Sequence, residues 1–487
     1  MGIREVPFPK CFQNLPRTIV GMKQKRIHHR TTWLTLVLVF LAGTYATHAQ
    51  QSLPAVLDQA IQYYPSLKAR QAEVHSAEQD VKTGTSDYIP RLSVQHQYTY
   101  STNNSVTGSF YPNGGTVISP SGGIRADNIY DGTFGSFTSA LLEWNIVNFG
   151  KVSTAVGAAR TALAASQAAY ENELFQHRVQ VADAYLLLLI GEKLEDIQQA
   201  NRDRAENFRQ VVSAGVQSGL RPGVDSALAE AEYAKANLLL LESHRNEQAR
   251  QLRLLELTGV LRDSIAIDSM QFYTTLPQAA DTATGAWQRH PSLRLQALRW
   301  ETTQARSKAI NRSFLPSISL VGAAWARGSG VSNTDDQYRT DFSSGTRYQV
   351  HNYLVGISTR WTLTDYAQIR HRYKSERYRA DRDHEVYNEQ ALRLQRQAKE
   401  AEMQYEVARA QARTAPVQLA AASQAYQQAS ARYASGLTDL PTLLQSMVVL
   451  NRAEADVAIA YSNAWRSLLM VAAAKGDLQV FLNAINP

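Results

Sequence analysis

The residue types able to do bond chemistry are sparse in this chain, and none stands at the spacing such chemistry needs. A thiolate zinc site or redox pair needs closely spaced cysteines, and the 487 residues contain one, Cys11. A metalloprotease helix needs two histidines around a glutamate; His384-Glu385 supplies the first half and lacks the second histidine. Gly328-Ser329-Gly330 lacks the rest of a dinucleotide loop and does not lie between a strand and a helix. No Gly-x-Ser-x-Gly elbow and no Walker lysine loop occur, and the remaining histidines are scattered and read as structural. The run Arg370–Arg382, with Tyr366, Tyr373 and Tyr378 interleaved, has a composition that suits RNA. In an exported chain the same run reads as the solvated face of a long helix. The residues therefore point to no enzyme, no cofactor, no metal and no nucleic-acid partner.

The charge balance agrees. The formal charge is +7, but residues 1–49 hold seven Lys or Arg against one Glu. Beyond Ala49 the chain carries 43 basic and 42 acidic residues, too even for a phosphate-binding surface. Residues 1–49 read as an export signal: a basic start at Met22-Lys23-Gln24-Lys25-Arg26, an 11-residue apolar core from Trp33 to Gly43, and the small-residue cleavage site Thr47-His48-Ala49. A transmembrane anchor, the other reading of that core, needs about 20 apolar residues. Met22 is an alternative start. No later segment has 18 uninterrupted apolar residues, so a membrane could be crossed only by β-strands, which points to an outer membrane.

The elements that would hold any site are long. Lys151 to Ala214 is 64 residues without proline, interrupted only by Gly157 and Gly191. As one helix it would reach about 96 Å. Ala158, Ala162, Ala165 and Ala169 form a small-residue seam that Phe175, Val179, Ala182, Leu186 and Leu189 continue. Leu174, Val181, Tyr185 and Leu188 form a second seam beside it, so the helix has neighbours on both sides, as in a helical wall.

The chain is written twice. Tyr64-Pro65-Ser66-Leu67 returns as His290-Pro291-Ser292-Leu293, and Tyr88-Ile89-Pro90-Arg91-Leu92-Ser93 as Phe314-Leu315-Pro316-Ser317-Ile318-Ser319, both offset by 226. Trp144 matches Trp361, and Ser218-Gly219-Leu220 matches Ser435-Gly436-Leu437, both offset by 217. The nine-residue difference falls in a surface loop, where length varies most easily. Each copy opens with a helix, expected over Leu53–Ser86 and Thr282–Asn311 and ended by Pro90 or Pro316. A strand comes next: Leu92, Val94, His96, Tyr98 and Tyr100 alternate with Ser93, Gln95, Gln97 and Thr99. Polar loops over Ser101–Gly132 and Gly328–Thr346 lead to return strands, Phe134–Ile146 and the alternating run Tyr353, Val355, Ile357, Thr359 and Trp361. Tyr98, Tyr100, Trp144, Tyr353 and Trp361 suit aromatic girdles at a membrane interface, although a hairpin packed on a soluble core would also carry them.

The second long helix is expected over Gln368–Ala434, with a kink or break at Pro416. Each copy ends in a Gly-Leu turn and a returning helix, Val224–Leu257 or Leu440–Lys475. The expected division is 1–49 signal, 50–263 first repeat, 264–277 connecting segment with a short strand at Ser264–Asp268, and 278–487 second repeat.

Taken in order, these motifs, with Trp144-Asn145-Ile146-Val147-Asn148-Phe149-Gly150 and Arg432-Tyr433-Ala434-Ser435-Gly436-Leu437, resemble the TolC-like family of outer-membrane efflux proteins over nearly all of Gln51–Gln479. The resemblance implies a mainly α fold with a pair of β-hairpins: a homotrimeric α-barrel, a long helical coiled-coil tube crossing the periplasm, continued by a shared twelve-stranded outer-membrane β-barrel. It implies a passive exit duct, opened by a periplasmic adaptor protein, powered by an inner-membrane pump and set in outer-membrane lipid. It carries an adaptor-binding role to the tip residues Gly219, Leu220, Gly436 and Leu437, with Arg432 before the second tip. The first copy has Gly215 at the position of Arg432, so that contact is one-sided. Some family members narrow the pore with aspartates six and nine residues after the second tip glycine; Thr442 and Gln445 stand there instead. Asp225 matches a first-repeat gate aspartate, with Asp439 nearby; Asp225 reads equally as an acid placed by the helix dipole. Two other readings stay open, an exported coiled-coil protein of the envelope without channel activity and a monomeric periplasmic binding protein or enzyme.

Overall fold

The computed structural model describes residues 50–102, 127–260, 264–268, 270–278, 286–331 and 337–485. The export signal, most of the Ser101–Gly132 loop and the start expected at Thr282 lie outside them.

The first repeat contains α1 (Leu53–Tyr63), α2 (Pro65–Ser86), β1 (Arg91–Ser101), β2 (Thr133–Val147), α3 (Lys151–Gln217) and α4 (Gly223–Thr258). A short helix α5 (Met270–Thr274) and a 3-10 turn at Ala286–Arg289 lead to the second repeat. That repeat contains α6 (Pro291–Ser313), β3 (Ser317–Ser329), α7 (Phe342–Thr346), β4 (Val350–Arg360), α8 (Tyr366–Ala434) and α9 (Leu440–Lys475), with α10 (Gln479–Ile485) closing the described chain.

Five expectations are corrected. The helix read over Leu53–Ser86 is two, because Pro65 forces Tyr64 into extended geometry (ψ 124°) and starts a new helix. Its counterpart starts at Pro291, where His290 caps it: the imidazole Nδ1 accepts from the Ser292 amide at 3.1 Å. Of the kink or break expected at Pro416, the break is absent: α8 stays helical over 69 residues. Ala412 and Ala415, just before the proline, are locked against Ala460 and Ala464 of α9, so packing holds the turn despite the missing amide. The second polar loop contains helix α7, and the strand expected at Ser264–Asp268 is a single bridge between Ile267 and Gln51.

The strands form one antiparallel sheet in the order β1-β2-β3-β4, leaving β1 and β4 as edges. Directly paired residues share a face, so the register sorts the side chains. One face carries Leu92, Val94, Ala140, Leu142, Leu320, Val355 and Ile357; the other carries Ser93, Gln95, Glu143, Asn145, Ser319 and Arg360, the more polar set, interspersed with Leu141, Val321, Trp325 and Leu354. On the polar face Ser319 Oγ donates to Asn145 Oδ1 at 2.6 Å, and Arg360 lies 3.9 Å from Glu143.

The largest core lies where the two repeats meet. Leu53, Val56, Val181, Tyr185, Leu188, Leu254, Trp465, Leu469 and Phe481 are all buried there, each such side chain contributing about 1.5–3 kcal/mol. Polar ends of buried aromatics tie down the connecting segment. Tyr185 Oη lies 3.1 Å from Gln51 O and 3.0 Å from Asp268 O, Trp465 Nε1 donates to Thr275 O at 3.2 Å, and Tyr405 Oη donates to Pro277 O at 2.8 Å. The second half of the seams expected on α3 is used in this core: Val181, Ala182, Tyr185, Leu186, Leu188 and Leu189 are buried, with Phe175 and Val179 packed against them, whereas of the alanine seam Ala158 is buried and Ala162, Ala165 and Ala169 are half-buried.

Candidate functional site at the helix tips

Each long helix ends in the same turn for the same reason. Gly219 and Gly436 have φ of 73° and 72°, a left-handed conformation that a β-carbon penalises. Leu220 N donates to Gly215 O at 2.9 Å and Gly219 N to Val216 O at 3.0 Å; Leu437 N donates to Arg432 O at 2.8 Å and Gly436 N to Tyr433 O at 3.1 Å. This pair of bonds is the Schellman stop, which satisfies carbonyls the helix would otherwise leave free. The turn throws the following leucine outward: Leu220 is 81% exposed and Leu437 70%. Space around both glycines is open, with no atom within 4 Å of an added Cβ.

The two tips are joined. Val212, Ala229, Tyr433, Leu440 and Leu443 form a small buried cluster that takes residues from both helix pairs. Phe208 packs on the Tyr433 ring at 5.6 Å between centroids. Arg221 spans the gap: its guanidinium lies 3.8 Å over the Tyr433 ring and donates to Tyr433 O at 3.0 Å. Burial raises the Tyr433 phenol above its ordinary value while Arg221 opposes that shift, so the pair meets as neutral phenol and cation. No sequence motif points to Arg221. The one signal is Gly215, whose missing side chain leaves room for the Arg221 stem, 3.3 Å from an added Cβ.

The remaining tip residues divide. Asp439 caps α9, accepting from the Thr442 amide at 3.3 Å and from the Thr442 hydroxyl, which holds its carboxyl below the usual carboxylate range. Asp225 lies in the first turn of α4, half-buried, with no capping bond from its side chain. Arg432, Thr442 and Gln445 are exposed. The structure thus brings Arg221, Asp225 and Tyr433 together, and it ties Asp439 to Thr442.

At the far end, Tyr98, Tyr100, Trp144, Tyr353 and Trp361 are all exposed. Tyr100 pairs with Phe134 near one rim, and Trp144, ten residues along β2, lies at the other. That separation is about 33 Å along a strand. At the usual tilt of about 35–45° it becomes roughly the 25 Å of an apolar membrane band. Tyr353, through Ala324 and Ala140, is level with Val94, between those rims.

Among the described residues one group could approach a metal: Glu195, His244 and Glu247 bring ligand atoms within 4.8 Å of one another. His244 Nδ1 donates to Glu195 at 2.9 Å and Nε2 accepts from Gln248 Nε2 at 2.9 Å, so both ring nitrogens of the neutral imidazole are engaged, its one basic lone pair by Gln248. Beside this group, burial and then the charge of Glu247 push Glu192 up to about 7.

Solved structures share this architecture. The chain superposes on the outer membrane channel CmeC of Campylobacter jejuni with TM-score 0.73 at 15% identity, covering 87% of this chain and 85% of that one. The outer membrane protein VceC of Vibrio cholerae gives 0.69 at 16% identity over 87% and 96%. The open-state outer membrane channel MtrE of Neisseria gonorrhoeae gives 0.67 at 17% identity over 87% and 89%. These likenesses define the fold as that of TolC-like channels. No curated protein matches the sequence. The family described as outer membrane efflux protein matches residues 56–260 and 284–476, one span in each repeat, and the chain belongs to that family.

Proposed function

We propose that this efflux-family chain is the outer-membrane channel of a tripartite efflux or secretion system, working as a homotrimer. Residues 1–49 would direct export, and repeats 50–263 and 278–487, joined by 264–277, would each supply one hairpin and one helix pair. One observation carries the reading: a four-stranded sheet with two open edges and one exposed apolar face, continued by helices of 67 and 69 residues. Open edges must be paired or covered, and four strands cannot enclose a pore. Three copies close both problems by forming a twelve-stranded barrel, with the apolar face toward lipid and the Glu143–Arg360 face toward water. The helices, about 100 Å long, then carry the passage across the periplasm.

In this reading Gly219, Leu220, Arg432, Gly436 and Leu437 meet the periplasmic adaptor, and the inner-membrane pump supplies the energy. Asp225, Asp439, Thr442 and Gln445 line or flank the gate. The Arg221–Tyr433 contact supports a closed state, because it holds the two tips of a protomer together. Tyr98, Tyr100, Trp144, Tyr353 and Trp361 face the membrane. The test is the oligomeric mass of the mature chain extracted from outer membranes, with its conductance in planar bilayers. Trimers that conduct are expected; a detergent-independent, non-conducting chain would mean an envelope coiled coil instead.

A further inference from the structure

We infer that the start of α8 carries a binding surface for anionic phospholipid headgroups of the bilayer leaflet that faces the helices. The inference rests on the channel reading above.

An aromatic rim marks the depth. Phe314, at the end of α6, packs on Trp361 at 5.8 Å and on Tyr366 at 5.3 Å, and both partners are about half exposed. Trp361 continues the alternation of Tyr353, Val355 and Ile357, so the rim extends the apolar face of the sheet. Aromatic rings of this kind settle at the boundary between hydrocarbon and headgroups.

Basic charge comes immediately after, on the same helix face. Residues three and four apart share a helical stripe, and Tyr366 is succeeded at that spacing by Arg370, Lys374 and Arg377, all exposed. Arg370 stays close to the rim, its guanidinium 6.0 Å from the Tyr366 ring. Lys374 and Arg377 have no acidic partner within ion-pair distance among the described residues. Asp365 and Asp381 bracket the stripe in sequence. At helical rise the three charges fall about 6, 12 and 16 Å beyond Tyr366. The headgroup layer is about 5–8 Å deep, and long basic side chains extend back toward it. Arg370 therefore lies at phosphate depth, and the other two lie within about one Debye length of the surface.

The first repeat keeps only part of the device. At the offset of 217, Tyr366 corresponds to Phe149 and Arg377 to the exposed Arg160, but Arg370 and Lys374, the two charges nearest the rim, correspond to Ser153 and Gly157. The stripe is also the run whose tyrosines and arginines suit RNA; a lipid phosphate offers the same anion without requiring a nucleic acid on an exported protein.

The experiment uses the full chain reconstituted into phosphatidylcholine vesicles with and without phosphatidylglycerol, then re-extracted, with retained lipid counted by mass spectrometry. The wild type should retain phosphatidylglycerol in preference to phosphatidylcholine. In R370Q/K374Q/R377Q that preference should fall about fivefold per charge removed, up to about a hundredfold in all. In S153R/G157K it should rise, and the site tolerates the change because nothing lies within 4 Å of a Cβ at Gly157. Equal phosphatidylglycerol preference in the wild type and the triple variant would overturn the inference, as would a triple variant that loses both lipids equally. Failure of the wild type to insert into phosphatidylcholine alone would instead remove the channel reading, since insertion needs only the apolar sheet face.

Discussion

The glycines divide into two kinds that sequence alone could not separate. Gly436 has open space around it, so Gly436→Val costs only the left-handed backbone, about 1–2 kcal/mol confined to the turn. Export should fail while protein level and assembly stay normal; drug susceptibility with immunoblotting checks this, and undiminished resistance counts against the assigned tip. Gly476 has the same φ sign, but a Cβ there would sit 2.8 Å from His290 Cα. Gly476→Ala should therefore lower thermal stability and protein level rather than act on export alone. The repeated Ser-Gly-Leu made both tips legible, whereas the Arg221–Tyr433 contact was not. The second-repeat counterpart of Arg221 is Thr438, so the duplication carries no hint of it. Removing the guanidinium in Arg221→Ala takes away roughly 1–2 kcal/mol of tip-to-tip contact. Conductance without adaptor should rise while the melting temperature hardly moves; an unchanged current would leave the contact without a gating role.

At the scale of elements, helices, hairpins and their order were legible because period and proline placement are local signals. The exceptions were decided by tertiary packing. Pro416 reads as a kink or a break, yet the helix continues through it with alanines on one side clamped to α9, and no local pattern reports a clamp made by a distant stretch of chain. The Tyr-Pro-Ser-Leu and His-Pro-Ser-Leu motifs were visible as landmarks, but their work was not. Tyr64 stacks on His177 at 3.9 Å, and His290 both caps α6 and joins Ala473 O at 3.1 Å, pinning the end of α9. Burial lowers both His177 and His290 below the ordinary histidine value. A histidine kept neutral by folding binds its proton more readily when unfolded, so stability is full above the unfolded value of about 6.5 and falls as pH drops below it. The melting temperature should decline from about pH 7.5 to about pH 5. His290→Asn keeps a capping side chain but loses the Ala473 link, costing roughly 1–2 kcal/mol at neutral pH, and it should shallow the acid slope. An identical slope in the variant would move the effect to other groups.

For the whole described chain, the decisive question is what lies against the apolar sheet face, and one substitution separates the answers. Alternation on β1 showed two faces, but only the register aligned Val94 with Ala140, Ala324 and Tyr353 into a continuous apolar band. Val94 is 71% exposed and points away from the polar face that holds Gln95. If lipid covers the band, Val94→Arg places a charge near mid-depth at a cost of about 2–4 kcal/mol, whereas Gln95→Arg meets water in the pore and costs little. If the hairpins instead stand in water, Val94→Arg replaces an exposed apolar side chain with a soluble one and should be neutral or favourable. The measurement is folding yield into lipid vesicles by heat-modifiable gel mobility, with each variant compared to the wild type. A yield that drops for Val94→Arg and holds for Gln95→Arg supports the barrel. Equal yields for the two would remove the membrane from the apolar face, and with it the need for three copies to close around a pore.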